Sequence, residues 1–322
     1  PASSVKAPAA QAAATEAAPT EPVPTEPAPT APMEVHTMAA AKLDFDEDAF
    51  FWGQERYMRK DVKTLTFQSS LQNAPGGAWD VSEAGDRSVL AWMDNGDLYV
   101  AADGAIAPNS DASWLFQNFV NLKTIDFGNC FVTSNVTRTN GMFNGCSSLT
   151  SLDLSGFDTS NVTYMGWMFG SCTSLTSLDL TSFDTSKATD MSNMFYGCHS
   201  LTSLDLTSFD TSSVTDMGSM FDDCMSLPHL NLTSFDTSKV TDMAFMFTSC
   251  NSLTRLDLSN FDTSNVTNML WMFGLCYDLT SLNLSSFDAS AVTEMDDIFT
   301  GCYVLTDLNC SDARILKEYN RR

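Results

Sequence analysis

The chain has 322 residues, 43% of them hydrophobic, so a sizeable core can be buried. Its net charge of −24 excludes nucleic acid and anionic membrane surfaces as partners, because both would be repelled. No run of about 18 apolar residues occurs, which leaves no candidate membrane-spanning helix.

The chain starts at Pro1 without a charged and apolar leader, so it reads as a mature or trimmed product. Residues 1–38 form a linker rich in Pro, Thr and Ala, with the run TEPVPTEPAPTAP from Thr20 to Pro32. Such composition cannot bury enough apolar surface to offset its ordering entropy, and the prolines keep it extended as a stalk.

Residues 39–113 do not repeat. Lys63 to Phe67 alternates like a strand, and SVLAWM, Asp94-Asn95-Gly96 and DLYVAA spell a β-hairpin with a tight turn. Trp52, Trp79, Trp92 and Trp114 gather in or beside this stretch. A stack of repeats exposes an apolar end unless something covers it, so an α+β N-terminal cap is expected here.

From 114 to 310 the sequence is periodic. FDTS recurs at Phe157, Phe183, Phe209, Phe235 and Phe261, with FDAS at Phe287, each step 26 residues. Cysteines keep the same step from Cys146 to Cys302. The first repeat is one residue longer, at Gly128-Asn129-Cys130, where Cys130 is expected to be exposed. Strands beginning at Leu122, Leu149, Leu175, Leu201, Leu227, Leu253, Leu279 and Leu305 give eight rungs of a repeat solenoid, a leucine-rich-repeat-like parallel β superhelix. In L-x-x-L-x-L the last two leucines point inward, so Leu152, Leu154 and mid-stack Leu204 belong to the core. Val162 and Met165 turn inward on a second extended stretch, and Met168 and Phe169 form a short helical or 3₁₀ turn. Residues 311–322 are a C-terminal cap or tail.

The pattern MFxxCxSLTSLDLSxFDTSxVTxM resembles the BspA-like leucine-rich-repeat surface proteins of bacteria. WDVSEAGDRSVLAWMDNGDLYVAADG followed by LKTIDF resembles the segment that precedes their first repeat. The resemblance covers residues 79–310. It implies an extracellular or cell-wall adhesin that binds host matrix, host receptors or other microbes, with no shared catalytic residues.

The repeat cysteines stack at a spacing that would permit disulfides, but equivalent side chains point the same way, so buried free thiols are expected. No CxxC pair or nearby His supports metal binding by them. Between Trp114 and Cys310 there are 21 Asp or Glu against 5 Lys or Arg. The column Asp158, Asp184, Asp210, Asp236, Asp262, Asp288 must offset its own repulsion. Asp before Thr-Ser accepts from the N–H two residues on, an Asx-turn, which is favoured over calcium bridging the rungs. No cofactor is expected, and calcium is the one alternative considered. His36, His199 and His229 form no convergent cluster, and His199 beside Cys198 is no dyad, so no catalysis is expected.

The binding face is expected where the outward strand positions stop being uniform. The column Ser151, Ser177, Ser203, Ser281 changes to His229, Arg255 and Asp307, and the next outward column runs from Asp153 to Asn309; from these positions His229, Arg255, Asp205, Asn231, Asp257 and Asn283 are selected. These six are the candidate ligand-binding residues of a monomer that recognises a protein or glycan. The alternatives are a structural spacer presenting another domain, and a wall-acting enzyme, which would need a catalytic domain this sequence lacks.

Overall fold

The computed structural model describes residues 33–44 and 46–322. The linker expected over residues 1–38 lies largely outside them. Its last residues are strand: β1 (Val35–Thr37) pairs in parallel with β6 (Ala105–Ala107), so regular pairing begins before residue 38.

The non-repeating region contributes β2 (Thr64–Gln68), β3 (Trp79–Asp80), β4 (Val89–Asp94) and β5 (Asp97–Ala102). Strands β4 and β5 form the hairpin the sequence announces, and Asn95 (φ 52°) and Gly96 (φ 100°) supply the two left-handed residues that such a turn requires. Strand β2 pairs in parallel with β5 on one side and on the other with β7 (Thr124–Asp126), which belongs to the first coil. One sheet, ordered β3-β4-β5-β2-β7, therefore runs from the non-repeating region into the repeats. Phe51 and Trp52 pack on Phe119, 5.0 and 5.9 Å between ring centroids. Trp92 instead stacks on Tyr99.

Each coil then buries the same set of side chains. Leu149, Leu154, Val162, Met165, Met168, Phe169 and Cys172 are all at most 1% exposed, and their equivalents follow in later coils. From Phe169 to Phe299 the phenylalanine rings stack 5.7–5.8 Å apart and nearly parallel. The cysteines are free, and each repeat thiol donates to a Phe carbonyl about one coil earlier, as Cys198 Sγ does to Phe169 O at 3.2 Å. Burial pushes the Cys146 and Cys198 thiols up to about 12. Cys130, expected at the surface, is 2% exposed with its Sγ toward Phe127 O.

The FDTS segment couples the coils. Ser160, Ser186, Ser212, Ser238, Ser264 and Ser290 each donate a backbone N–H to the Asp two residues earlier, as expected of an Asx-turn. The Thr between them does more. Thr185 is 1% exposed; its hydroxyl donates to Asp210 O at 2.9 Å and accepts from Asp210 N at 2.8 Å, across to the next coil. Thr133, Thr159, Thr211, Thr237 and Thr263 repeat this reciprocal pair.

Two expectations need correction. The leucine run was expected to form one continuous parallel sheet, but it pairs in patches: β8 (Ser177–Leu178) with β9 (Ser203–Leu204), then β10 (Arg255–Asp257), β11 (Ser281–Leu284) and β12 (Asp307–Cys310) together. Residues 151–154 and 229–232 carry no strand, and the second gap divides the two patches. Pro228 accounts for the side of that break facing the preceding coil: Thr202, Thr280 and Thr306 each donate an N–H to the coil before at this position, and proline has none. Beside the break, Leu204 and Leu230 are partly exposed rather than internal.

The continuous ladder lies on the Thr-x-Met stretch. Parallel bridges run Asp111, Arg138, Tyr164, Asp190, Asp216, Asp242, Asn268, Glu294. Within each coil the N–H groups of alternate residues donate to the next coil, as Met165 to Asp190 O and Trp167 to Ser192 O at 2.9 Å and Phe169 to Met194 O at 3.0 Å. At Met168-Phe169 the expected helical or 3₁₀ turn is a series of single hydrogen-bonded turns, with Met168 N donating to Met165 O at 3.2 Å, and does not extend into a helix. Trp167 (φ 60°) and Ser171 (φ 55°) are left-handed, as are their equivalents in later coils, and a left-handed residue ends any helix.

After β12, α1 (Ala313–Tyr319) closes the stack. Ile315 is fully buried, and Tyr319 packs edge-on against Phe299. Glu34–Arg322 is one compact unit.

Candidate binding face

Beyond the Pro228 break, the leucine side opens into a shallow trough of about 780 Å³. Leu230, Leu256, Leu282 and Leu308 lie along it, and His229, Arg255, Asp257, Asn283, Asp307 and Asn309 stand around them. Strand alternation produces this arrangement. In β10 the order Arg255-Leu256-Asp257 turns the leucine in and both charges out.

The polar groups are pre-positioned by one another. Asn309 Nδ2 donates to Asn283 Oδ1 and Asn283 Nδ2 to Asp257 Oδ1, both at 2.9 Å, which makes a side-chain ladder across three coils. Ser281 Oγ donates to Asp307 Oδ2 at 2.8 Å. The Ser259 hydroxyl and N–H, with Asn283, hold the Asp257 carboxyl below its ordinary range. Among the described residues, no carboxylate lies within ion-pair distance of His229 or Arg255. The trough thus offers an unpaired guanidinium and imidazole beside fixed carboxylate and amide groups.

Of the six residues picked out in the sequence, His229, Arg255, Asp257 and Asn283 line this trough. Asp205 and Asn231 do not. Both are exposed and accept from the N–H and hydroxyl of Thr207 and Thr233, which fixes the turn after each leucine run. Sequence reasoning placed Asp307 and Asn309 in these outward columns without selecting them as candidates, and both line the trough as the register partners of Ser281 and Asn283.

It also missed a cluster on the far run of the coil. His199 Nε2 lies 2.7 Å from Asp223 Oδ2, one coil on. Beside it, burial first and the neighbouring Asp223 charge second push the Asp222 carboxyl up to about 7. Among the described residues, no group of three His, Cys, Asp or Glu could hold a metal ion. No described helix is long and apolar enough to cross a membrane.

The stacked coils, with their inward Leu, Met, Phe and Cys, are a leucine-rich-repeat-like architecture. Residues 110–230 and 201–309 match a family described as "Mycoplasma protein of unknown function, DUF285". Together these spans cover more than half of the chain, and the chain belongs to that family. No curated protein matches it. Among solved structures it is similar to the leucine-rich-repeat protein of T. pallidum, at 18% identity over 73% of this chain and 93% of that one, with a TM-score of 0.32. A leucine-rich cell surface protein of Faecalibacterium prausnitzii matches at 16% identity over 87% and 94%, with a TM-score of 0.22. A chain of the TLR13–ssRNA13 complex matches at 20% identity over 64% and 33%, with a TM-score of 0.26.

Proposed function

We propose that this protein is a non-catalytic binding module of a bacterial cell surface, BspA-like in kind, and that a protein or glycan partner docks in the trough around His229 and Arg255. In this reading the repeats form an eight-rung superhelix over 114–310, residues 39–113 cap it together with β1, and the residues before β1 hold it off the surface as a monomer. The observation that carries the reading is the trough itself: unpaired His229 and Arg255 beside the ladder Asp257–Asn283–Asn309. Groups already held in place lose little conformational freedom on docking, and arginine is a frequent hot spot. The surrounding acid favours a partner with a basic rim, so binding should weaken as salt rises. The Asx-turns occupy the Asp158 column, which supports a module that works without calcium.

The test is a screen of the purified chain against matrix proteins, mucins and microbial surfaces, followed by the double variant His229→Ser, Arg255→Ser. Both substitutions restore the residue most coils carry and touch no core position. The variant should bind the identified partner at least about tenfold more weakly, roughly 1.4 kcal/mol, with unchanged melting. Binding as tight as the parent's would place the site elsewhere.

A further inference from the structure

The far run of the last coils carries an apolar band that the fold does not call for. Where other coils hold Ser147, Thr173, His199 and Asn251, three coils hold Met225, Tyr277 and Tyr303. Met225 is 37% exposed, Tyr277 45% and Tyr303 77%, and the two tyrosine rings stack 6.4 Å apart. The buried Leu, Met, Phe and Cys columns hold these coils together, so the exposed rings add nothing to the core.

Three neighbours extend the band. Phe245, Trp271 and Leu275 are half-buried and left-handed, at φ 58°, 54° and 58°. The coil imposes that backbone, which recurs along the stack, but it does not impose these side chains. The column of Phe245 and Trp271 holds Gly141, Asn193 and Asp297 elsewhere, and the column of Leu275 holds Gly145, Gly197 and Gly301. Those residues accept positive φ with less strain than a bulky apolar one. Phe245 N donates to Leu270 O and Leu275 N to Thr300 O, which sets these positions side by side on successive coils. The Trp271 ring lies over Gly274, where any Cβ would collide with it. Bulky apolar groups at half-open positions that favour glycine and asparagine have their reason outside the coil, and a contiguous apolar patch on a surface marks an interaction site.

The surroundings of the band are acidic. Residues 216–225, 242–251, 268–278 and 294–304 hold eight Asp or Glu and no Lys or Arg. His199 offsets one of them, Asp223, at 2.7 Å. Asp278, Asp296 and Asp297, on the two coils that carry the tyrosines, have no ion pair among the described residues. Arg321 and Arg322 follow α1, where Glu318 holds the first and the Tyr319 ring and Leu305 carbonyl hold the second.

We propose that this band docks a cationic amphipathic protein segment, whose apolar side chains cover Trp271, Tyr277 and Tyr303 and whose Lys or Arg groups reach the carboxylates around them. A neutral or acidic segment would take those carboxylates from water and give them no partner. Cations also gain from standing over tyrosine and tryptophan faces. Four coils at about 4.8 Å make a band roughly 15 Å long, which a helix of about ten residues spans. Docking here is independent of the trough at His229.

The test is fluorescence anisotropy on the full chain with three labelled peptides of about 14 residues on one helical pattern, made of Leu and Lys, of Ser and Lys, and of Leu and Glu. The Leu/Lys peptide should bind at least about tenfold more tightly than the Ser/Lys peptide of equal charge, and more weakly as salt rises. The triple variant Trp271→Ser, Tyr277→Asn, Tyr303→Ser copies Ser219, Asn251 and Ser147 and leaves the net charge unchanged. It should bind the Leu/Lys peptide at least about tenfold more weakly. The pair Tyr277→Asn, Tyr303→Ser, at exposed positions alone, should lose at least about threefold and keep the parent's melting. His229→Ser, Arg255→Ser should bind as the parent does. Equal binding of the Leu/Lys and Ser/Lys peptides, parent-like binding by the folded tyrosine pair, Leu/Glu binding as tight as Leu/Lys, or loss in the His229, Arg255 variant each overturns the proposal.

Discussion

Thr211→Val tests how the coils are coupled. Valine matches threonine in shape, so the substitution removes the hydroxyl and little else. Thr211 is 1% exposed, and its Oγ1 donates to Asp236 O and accepts from Asp236 N, each at 2.8 Å. Two bonds at a net of about 0.5–1.5 kcal/mol each are lost, and the Asp236 N–H and C=O are left without those partners in a half-buried place. The expected cost is about 2–4 kcal/mol. Thr211→Ser keeps both bonds and forfeits one methyl, about 1 kcal/mol. Because each coil touches its neighbours alone, the loss concentrates at one interface mid-stack. Urea unfolding should show a lower midpoint for the valine variant, and hydrogen exchange should show Asp236 and its neighbours losing protection first. Equal midpoints for the valine variant and the parent, or equal losses for valine and serine, would refute the reasoning.

Two further outcomes follow from the burial pattern. Native protein treated with iodoacetamide at pH 8 should be alkylated at half-buried Cys310 before any of Cys146, Cys172, Cys198 or Cys224, which are fully buried with raised pKa values; mass spectrometry reads this, and disulfides between coils in a native sample would contradict it. Asp222, pushed up to about 7 from an ordinary 3.8, keeps its proton in the folded chain after the unfolded chain has lost its own. Its contribution is therefore full in acid and is lost as pH rises toward and through 7. The unscreened shift corresponds to roughly 4 kcal/mol, reduced by solvent to about 1–2, so Asp222→Asn should raise the melting temperature at pH 8 and leave it unchanged near pH 4. A gain of equal size at both values would show that the proton is not the cause.

The period, the inward Leu, Phe and Cys columns and the Asx-turns were legible because each is a local pattern repeated at a fixed step. The FDAS variant at Phe287 was visible too, and the structure supplies its reason. Ala289 stands in the last coil, where a Thr hydroxyl would have no following Asp to reach, and Asp312 Oδ2 accepts the Ala289 N–H at 3.0 Å instead. The Pro228 break was written in the sequence, but its effect depends on the neighbouring coil's carbonyl, which no single repeat displays. The left-handed ladder was harder. Gly141, Gly145, Gly197 and Gly301 hint at it, yet Trp167, Phe245, Trp271 and Leu275 fill the same columns, and side chains that disfavour φ > 0 hide the signal. Of the trough, His229 and Arg255 stood out as departures from the serine column.

The threonine hand-off has a consequence for how such a chain changes length. Every internal coil presents a hydroxyl on one side and an Asp peptide on the other, and Thr185 meets Asp210 as Thr237 meets Asp262. Excising one 26-residue unit, from Asp210 to Phe235, would let Thr185 inherit the Asp236 peptide that Thr211 now holds, of the same residue type. The specialised chemistry sits at the two ends, in β2 against β7 and in Asp312 against Ala289. Recombination between repeats can therefore add or drop coils without rewriting either terminus, which makes reach a heritable variable separate from the surfaces that bind.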